Sequence, residues 1–192
     1  MATLGPVQVT LRDDATISIR NAELVDAERV RDFFRVVAAG TEMILTCEDE
    51  VPDLDGERKF IGDHFDNPGK LCLLAEADGQ IISCAGLAAH PRRRARHTAE
   101  LGISVSADWR GRGVGRAMME CLLNWALTHP MIEKVCLSVW SINAVAIALY
   151  RSLGFIEEGR RIGQVRFAPG RAADEVMMGK FVKRPADVQG AM

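Results

Sequence analysis

The run Val105-Ser106-Ala107-Asp108-Trp109-Arg110-Gly111-Arg112-Gly113-Val114-Gly115-Arg116 joins an apolar, strand-like stretch to a helical one. The first N–H groups of a helix lack partners inside it, and the macrodipole adds about half a positive charge there. Such an end suits an anion. Gly111, Gly113 and Gly115 remove the Cβ atoms that would keep a pyrophosphate from those amides, while Arg110, Arg112 and Arg116 add positive charge. The run lacks the Gly-Lys-Ser/Thr ending of a Walker A loop, and its third glycine comes one position early for Gly-x-Gly-x-x-Gly. It therefore reads as a cradle for some other phosphate, the plain alternative being a glycine-rich turn with solvated arginines.

A second group lies further on. Asn143, Ile147 and Tyr150 are four and three residues apart, so a helix puts them on one face with its outer members about 10 Å apart along the axis. One extended ligand could touch both ends. Ala146 leaves room beside Asn143, and Tyr150 is the only tyrosine in the chain. The alternative for Tyr150 is a ring packed in the core whose hydroxyl finds a backbone acceptor.

Composition limits what such groups can serve. The chain has 192 residues, 48% hydrophobic and 26% charged, which is the balance of one soluble globular domain over 1–192. A net charge of −2 excludes a general nucleic-acid or membrane-surface binder and leaves open a local basic patch. The Met-Ala-Thr-Leu-Gly-Pro start has no cationic segment leading into a long apolar one, and no apolar run approaches the roughly 20 residues that span a bilayer, so the expectation is a cytoplasmic protein that is neither secreted by a standard signal nor membrane-spanning. Five scattered cysteines without a Cys-x-x-Cys pair read as buried thiols of a reducing cytosol, and no cluster suggests a metal.

The elements that must position these groups follow from periodicity. Ile17 to Arg20 alternates as a strand, and Val30, Phe33, Phe34 and Val37 mark a helix that Asp26 could cap. An acidic loop from Glu42 to Glu57 leads to a weaker helix through Phe60, Ile61 and Phe65. Leu71–Ala75 and Ile81–Leu87 form a hairpin about Asp78-Gly79, and Thr98–Val105 follows the basic turn Arg92 to Arg96 as a third antiparallel strand. An amphipathic helix starts at Val114, a strand covers Val135–Val139, a helix capped by Ser141 runs over 142–152 to Gly154, and strands 155–161 and 175–182 close the chain. The ends, 1–14 and 184–192, read as flexible. This order implies an α/β (α+β) fold, a mixed sheet with helices on its faces.

Arg110-x-x-Gly113-x-Gly115 after a strand, followed by Asn143-Ala144-Val145-Ala146-Ile147-Ala148-Leu149-Tyr150-Arg151-Ser152-Leu153-Gly154-Phe155, resembles the two signatures of the GNAT superfamily of N-acetyltransferases. The resemblance extends to the element order from Ile17 to Val182 and implies a mostly antiparallel sheet of about seven strands with about four helices. It implies acetyl-CoA as co-substrate, its pyrophosphate held by Arg110, Gly111, Arg112, Gly113, Val114, Gly115 and Arg116. Main-chain atoms of Ile103, Ser104 and Val105 would hold the pantetheine and acyl oxygen where that strand splays from its neighbour. Asn143 and Ala146 would border the pantetheine arm, and Tyr150 would lie at the thioester sulfur as the acid for the departing thiolate.

The same resemblance implies direct acetyl transfer to the primary amine of a small molecule, needing no metal, with Glu100 as the base. Its alternative is a surface glutamate. Ribosomal-protein alanine acetyltransferases of this superfamily carry a glutamate five residues before the asparagine, where this chain has Ser138. Neither that substrate class nor that base transfers. The layout is closest to bacterial small-molecule enzymes such as phosphinothricin and amino-acid acetyltransferases. A protein or peptide acetyltransferase and a catalytically silent acyl-CoA sensor remain as alternatives. The acidic loop could attract a cationic amine, Trp140 could line an acceptor pocket, and a homodimer would match relatives that pair through the sheet's C-terminal edge.

Overall fold

The computed structural model describes residues 4–183, with four α-helices and eight strands in the sheet order β1-β2-β3-β4-β5-β6-β8-β7. Its strands are β1 (Val7–Thr10), β2 (Thr16–Asn21), β3 (Lys70–Ala77), β4 (Gln80–Ala89), β5 (Thr98–Val105), β6 (Lys134–Trp140), β7 (Ile156–Ala168) and β8 (Arg171–Phe181). The helices are α1 (Ala27–Gly40), α2 (Leu54–Asp66), α3 (Val114–Thr128) and α4 (Ala144–Ser152). The mixed, mostly antiparallel sheet expected from the sequence is present, with one more strand. β1 lies inside the segment expected to be a flexible end, because Val7 and Val9 alternate with polar residues and pair with Ile19 and Ile17 of β2. The expected flexible end 184–192 falls outside the described residues.

The described residues divide into two compact units, 4–88 with Gly102–Leu122, and Ala89–Leu101 with 123–183. In the first, α1 and α2 cover a sheet face through Val30, Phe33, Val37 and Ile61, packed with Cys72, Leu74 and Cys84. Burying each large apolar side chain contributes roughly 1.5–3 kcal/mol. Phe60 and Phe65, expected as the apolar marks of α2, are exposed, and the buried positions of this helix are Glu57 and Ile61. Asp78 (φ 49°) and Gly79 (φ 74°) both sit in the left-handed region, as a tight hairpin requires.

In the second unit, Ala99 and Leu101 of β5, Val135, Leu137 and Val139 of β6, and Val176 and Met178 of β8 are buried. Glu100 and Ser138 alternate with them and are exposed. β7 and β8 run longer than expected, since β7 is exposed along most of its length and so lacks the apolar alternation that marks a strand in sequence. All five cysteines are free, and Cys47 is exposed, which corrects the expectation that all five are buried.

Asp26 occupies the N-cap position of α1, yet its side chain accepts no N–H of that helix and instead takes the Glu23 N–H at 2.9 Å, in the capping box of the helical turn Leu24–Asp26. Its carboxylate also accepts from Arg20 at 2.7 and 2.8 Å and from Arg29 at 3.2 Å, and Glu76 accepts from Arg20 at 2.9 Å. This network ties β2, β3 and the start of α1. Burial opposes ionisation of Asp26, but the hydrogen bonds from Arg20 and the Glu23 N–H, with the charges of Arg20 and Arg29, hold its pKa below the ordinary value. A depressed carboxylate contributes stability above its unfolded pKa near 4 and loses it as pH falls through the folded value. We expect Asp26→Asn to cost about 3 kcal/mol in urea unfolding at pH 7, and the loss to shrink below pH 4.

Candidate functional site

The glycine-rich loop expected to cradle a phosphate lies in the first unit. After β5 a single helical turn, Ala107–Trp109, leads through Arg110 to the start of α3 at Val114. Gly111 (φ 75°) and Gly113 (φ 108°) adopt backbone conformations that other residues resist, and a Cβ on Gly111 would meet only open space. Gly113 C=O accepts the Ala117 N–H at 3.1 Å and so begins the ladder of α3. Val114 is fully buried, so only its backbone is available to a ligand.

Two of the three arginines brace the loop itself. Arg110 Nε donates to Val105 C=O at 3.0 Å, and Arg112 stacks on the Trp109 ring at 3.8 Å while pairing with Asp13 at 2.5 Å. Arg116 is 3.6 Å from Glu120, one turn along α3. Sequence reasoning missed Asp13 as the anchor of Arg112; 99 residues separate the pair, and no local pattern marks it.

Ile103, Ser104 and Val105 are half-buried. Ser104 C=O accepts from Ser83 Oγ at 2.8 Å, and the Ser106 N–H donates to Ile82 C=O. The parallel ladder of β5 with β6 holds only three pairs, Thr98 with Lys134, Ala99 with Val135 and Glu100 with Cys136. The pairs end at Glu100, and residues 103–105 are not among them.

The second unit carries the other group. Asn143, and not Ser141, is the N-cap of α4, its Oδ1 accepting the Ala146 N–H at 3.2 Å. Ser141 instead bridges to Asp174, whose N–H donates to Ser141 Oγ at 3.1 Å. Capping uses the oxygen of Asn143 and leaves its NH2 out of that bond. Asn143, Ala146 and Ile147 are half-buried and Tyr150 is buried, so they share the inward part of the helix. Gly154 (φ 88°) ends α4, with Phe155 N–H bonded to Tyr150 C=O at 3.0 Å. Cys136, in register with Glu100, has its thiol pKa raised by burial, against Lys134 and with help from Glu100 and Glu158.

Other expected contributors divide. Trp140 is buried, and its Nε1 has no hydrogen-bond partner among the described residues. In the acidic segment Glu48, Asp49, Glu50 and Asp55 are exposed, Asp53 caps α2 through the Gly56 N–H at 2.8 Å, and Glu57 is buried with Oε1 unpartnered. Burial pushes the Glu57 carboxyl up from its ordinary value. No group of three or more metal-binding side chains is found among the described residues.

Burial also pushes the Tyr150 phenol up to about 12. With a raised pKa the neutral phenol is the form the fold favours, so its stabilisation is present below pH 10 and is lost as pH rises from 10 toward 12. A single tyrosine makes this readable. Tyrosinate absorbance in a pH titration should stay absent up to about pH 11, with denaturant stability declining above pH 10; a normal titration near pH 10 with stability unchanged would show an exposed phenol.

The sequence pattern of the acetyltransferase (GNAT) family matches residues 31–155. An L-amino acid N-acetyltransferase of Escherichia coli is 33% identical over 94 residues, 49% of this chain and 58% of that protein. The chain thus spans less than two thirds of that relative's length. The solved GNAT-family acetyltransferase of Streptococcus pneumoniae superposes with a TM-score of 0.82 at 26% identity, over 86% of this chain and 99% of the other. YncA of Salmonella typhimurium, solved with its cofactor acetyl-CoA, gives 0.78 at 23% identity, over 91% of this chain and 99% of the other.

Proposed function

The chain belongs to the GNAT acetyltransferase family, and from that premise we propose an acetyl-CoA-dependent N-acetyltransferase acting on the primary amine of a small molecule. The observation that carries the reading is the phosphate loop: two glycines with positive φ at the start of α3, with open space where Gly111 lacks a Cβ. A pyrophosphate fits such an end, where amide donors and the helix dipole favour negative charge. The acetyl thioester, when bound, supplies the activated acyl group.

Each group of the chain then has a task. The backbone amides of the 110–116 loop hold the phosphates, while the stacked, ion-paired Arg112 keeps the loop in shape. Main-chain groups of Ile103, Ser104 and Val105, outside the β5–β6 ladder, bind the pantetheine and the acyl oxygen. The Asn143 amide and the small Ala146 receive the arm. Glu100, exposed on β5, takes the proton from the acceptor amine as its nitrogen bonds to the acyl carbon and the carbon–sulfur bond breaks.

Tyr150 is better suited to hold the sulfur by a hydrogen bond than to surrender its proton. Against a free thiol near 8.5, a phenol near 12 makes full transfer uphill by more than three units, roughly 5 kcal/mol. Its O–H nonetheless stabilises the thiolate as charge develops, and solvent supplies the proton on release. The amino-acid acetyltransferase activity named for the Escherichia coli relative supports an amine of metabolite size.

The test is mass spectrometry of products after incubation with acetyl-CoA and a mixture of amino acids, polyamines, amine antibiotics and peptides. A single acetylated small amine is expected. Acetylation confined to peptides would replace the acceptor assignment, and acetyl-CoA binding without any product would favour a sensor. Tyr150→Phe should lower kcat at least tenfold with acetyl-CoA Kd changed less than threefold. Gly113→Val, strained at φ 108°, should abolish acetyl-CoA binding in calorimetry while the circular dichroism spectrum is kept.

A further inference from the structure

The connection between β4 and β5 reads His90-Pro91-Arg92-Arg93-Arg94-Ala95-Arg96-His97. It is a folded turn. The His90 N–H donates to Thr98 C=O at 2.9 Å, the Ala95 N–H to Arg92 C=O at 2.9 Å, and both the N–H and Oγ1 of Thr98 to Ala95 C=O at 2.8 Å. Glu133 and Lys134 N–H groups grip His97 C=O at 2.8 and 3.1 Å. The turn thus presents its side chains from a fixed backbone.

Arg92, Arg93, Arg94 and Arg96 are all exposed. Elsewhere arginines such as Arg20, Arg29, Arg151, Arg160 and Arg161 reach carboxylates, yet among the described residues none of these four has an ion pair. Glu133 at the foot of the turn is half-buried, while the charge of its neighbour Lys134 is already answered by Glu158 at 2.7 Å and Lys183 Nζ donates to His129 C=O. Four like charges within five positions repel one another, in a chain whose total is −2. No interaction within the described fold compensates that repulsion.

The side chains decide what can answer the charge. A guanidinium fork binds phosphate oxygens in pairs and holds its proton at any working pH. Pro91 and Ala95 are the turn's only apolar residues, so it offers no pocket for a peptide side chain and no wedge for a bilayer. It has no Phe, Tyr or Trp on which a base could stack. Phosphate is therefore the main group to be recognised, stacking being open only to the exposed His90 and His97 rings and the guanidinium planes, and a flexible strand can fold successive phosphates onto so compact a set of cations where a rigid duplex offers fewer.

We propose that Arg92, Arg93, Arg94 and Arg96 form a docking surface for the phosphodiester backbone of single-stranded nucleic acid, engaged without reading bases. The whole-chain charge does not oppose this, because at physiological salt the field of a charge fades within about 8 Å. The surface is local.

The experiment is fluorescence anisotropy of a labelled 20-nucleotide oligouridine with the full chain from 50 to 300 mM KCl. Three or four phosphates neutralised on a single strand give a slope of log K against log salt of about −2 to −3. Oligothymidine of the same length should bind within threefold, since no contact reads the sugar or base. Changing all four arginines to serine should weaken binding at least tenfold at 50 mM and flatten the slope, while changing them to lysine should keep most of it. Circular dichroism and acetyl-CoA titration of the serine variant, both expected unchanged, separate this outcome from misfolding and from failure of the acetyltransferase reading. The proposal is overturned by no binding at 50 mM, by binding that survives the serine changes, or by tighter binding of a 20-residue polyglutamate or of phosphatidylserine vesicles.

Discussion

Two neighbouring strands that run parallel cannot be joined by a hairpin, and the parallel pairing of β5 with β6 imposes the most informative part of the chain. Some connection must carry the backbone back along the strand direction, and α3 is that connection. A helix used this way begins just after the first strand ends, so its unpaired amides open where β5 stops. The glycines at 111 and 113 follow from the same demand, because the chain must turn sharply from a strand through a single helical turn into α3. The anion-suited geometry of this loop is therefore a by-product of topology, refined by the stacking of Arg112 on Trp109.

The second unit solves a different problem, that of holding polar groups at a helix that is mostly apolar. Asn143 spends its side-chain oxygen on the first turn of α4, which fixes the direction of its amide nitrogen. Tyr150 has its ring enclosed and its phenol kept neutral by burial. One side chain thus caps and the other packs, and each keeps a polar hydrogen that structure does not consume. Glu57 and Trp140, with buried polar atoms lacking partners among the described residues, show what the fold tolerates at some cost.

How much of this was legible depended on the kind of signal. Features written in neighbouring residues were read well: the Asp78-Gly79 hairpin, the eight residues of β5, the start of α3 at Val114 and the stop at Gly154. Positive φ and helical spacing are local, and local chemistry shows in local sequence. Ser141 was misread as a cap, and Asp26 holds the N-cap position of α1 without a side-chain bond to that helix, because each has the right side chain at a helix start and only the folded chain reveals that Asp174 and Arg20 claim them. β1 was missed because its alternation runs over only four residues, and the long β7 was cut short because a strand exposed along most of its length carries little periodic mark. In the loop, the glycines were legible but the bracing by Asp13 was not, because a contact across 99 residues leaves no trace in spacing.

The two strands at the ends of the sheet deserve comparison. β1 has four residues, too short to template much of anything, whereas β7 has thirteen and would be a hazard if it were flat and apolar. It is neither. Glu157, Glu158, Arg160 and Arg161 crowd its first half, and its register with β8 shifts between Glu157 and Gly159, between Arg161 and Val165, and between Arg166 and Ala168. Charges and irregularities of this kind deny a stray strand the even row of partners it would need. During synthesis in a crowded cell, where half-made sheets meet one another, that rim discourages the β7–β8 pair from recruiting neighbouring chains into an aggregate.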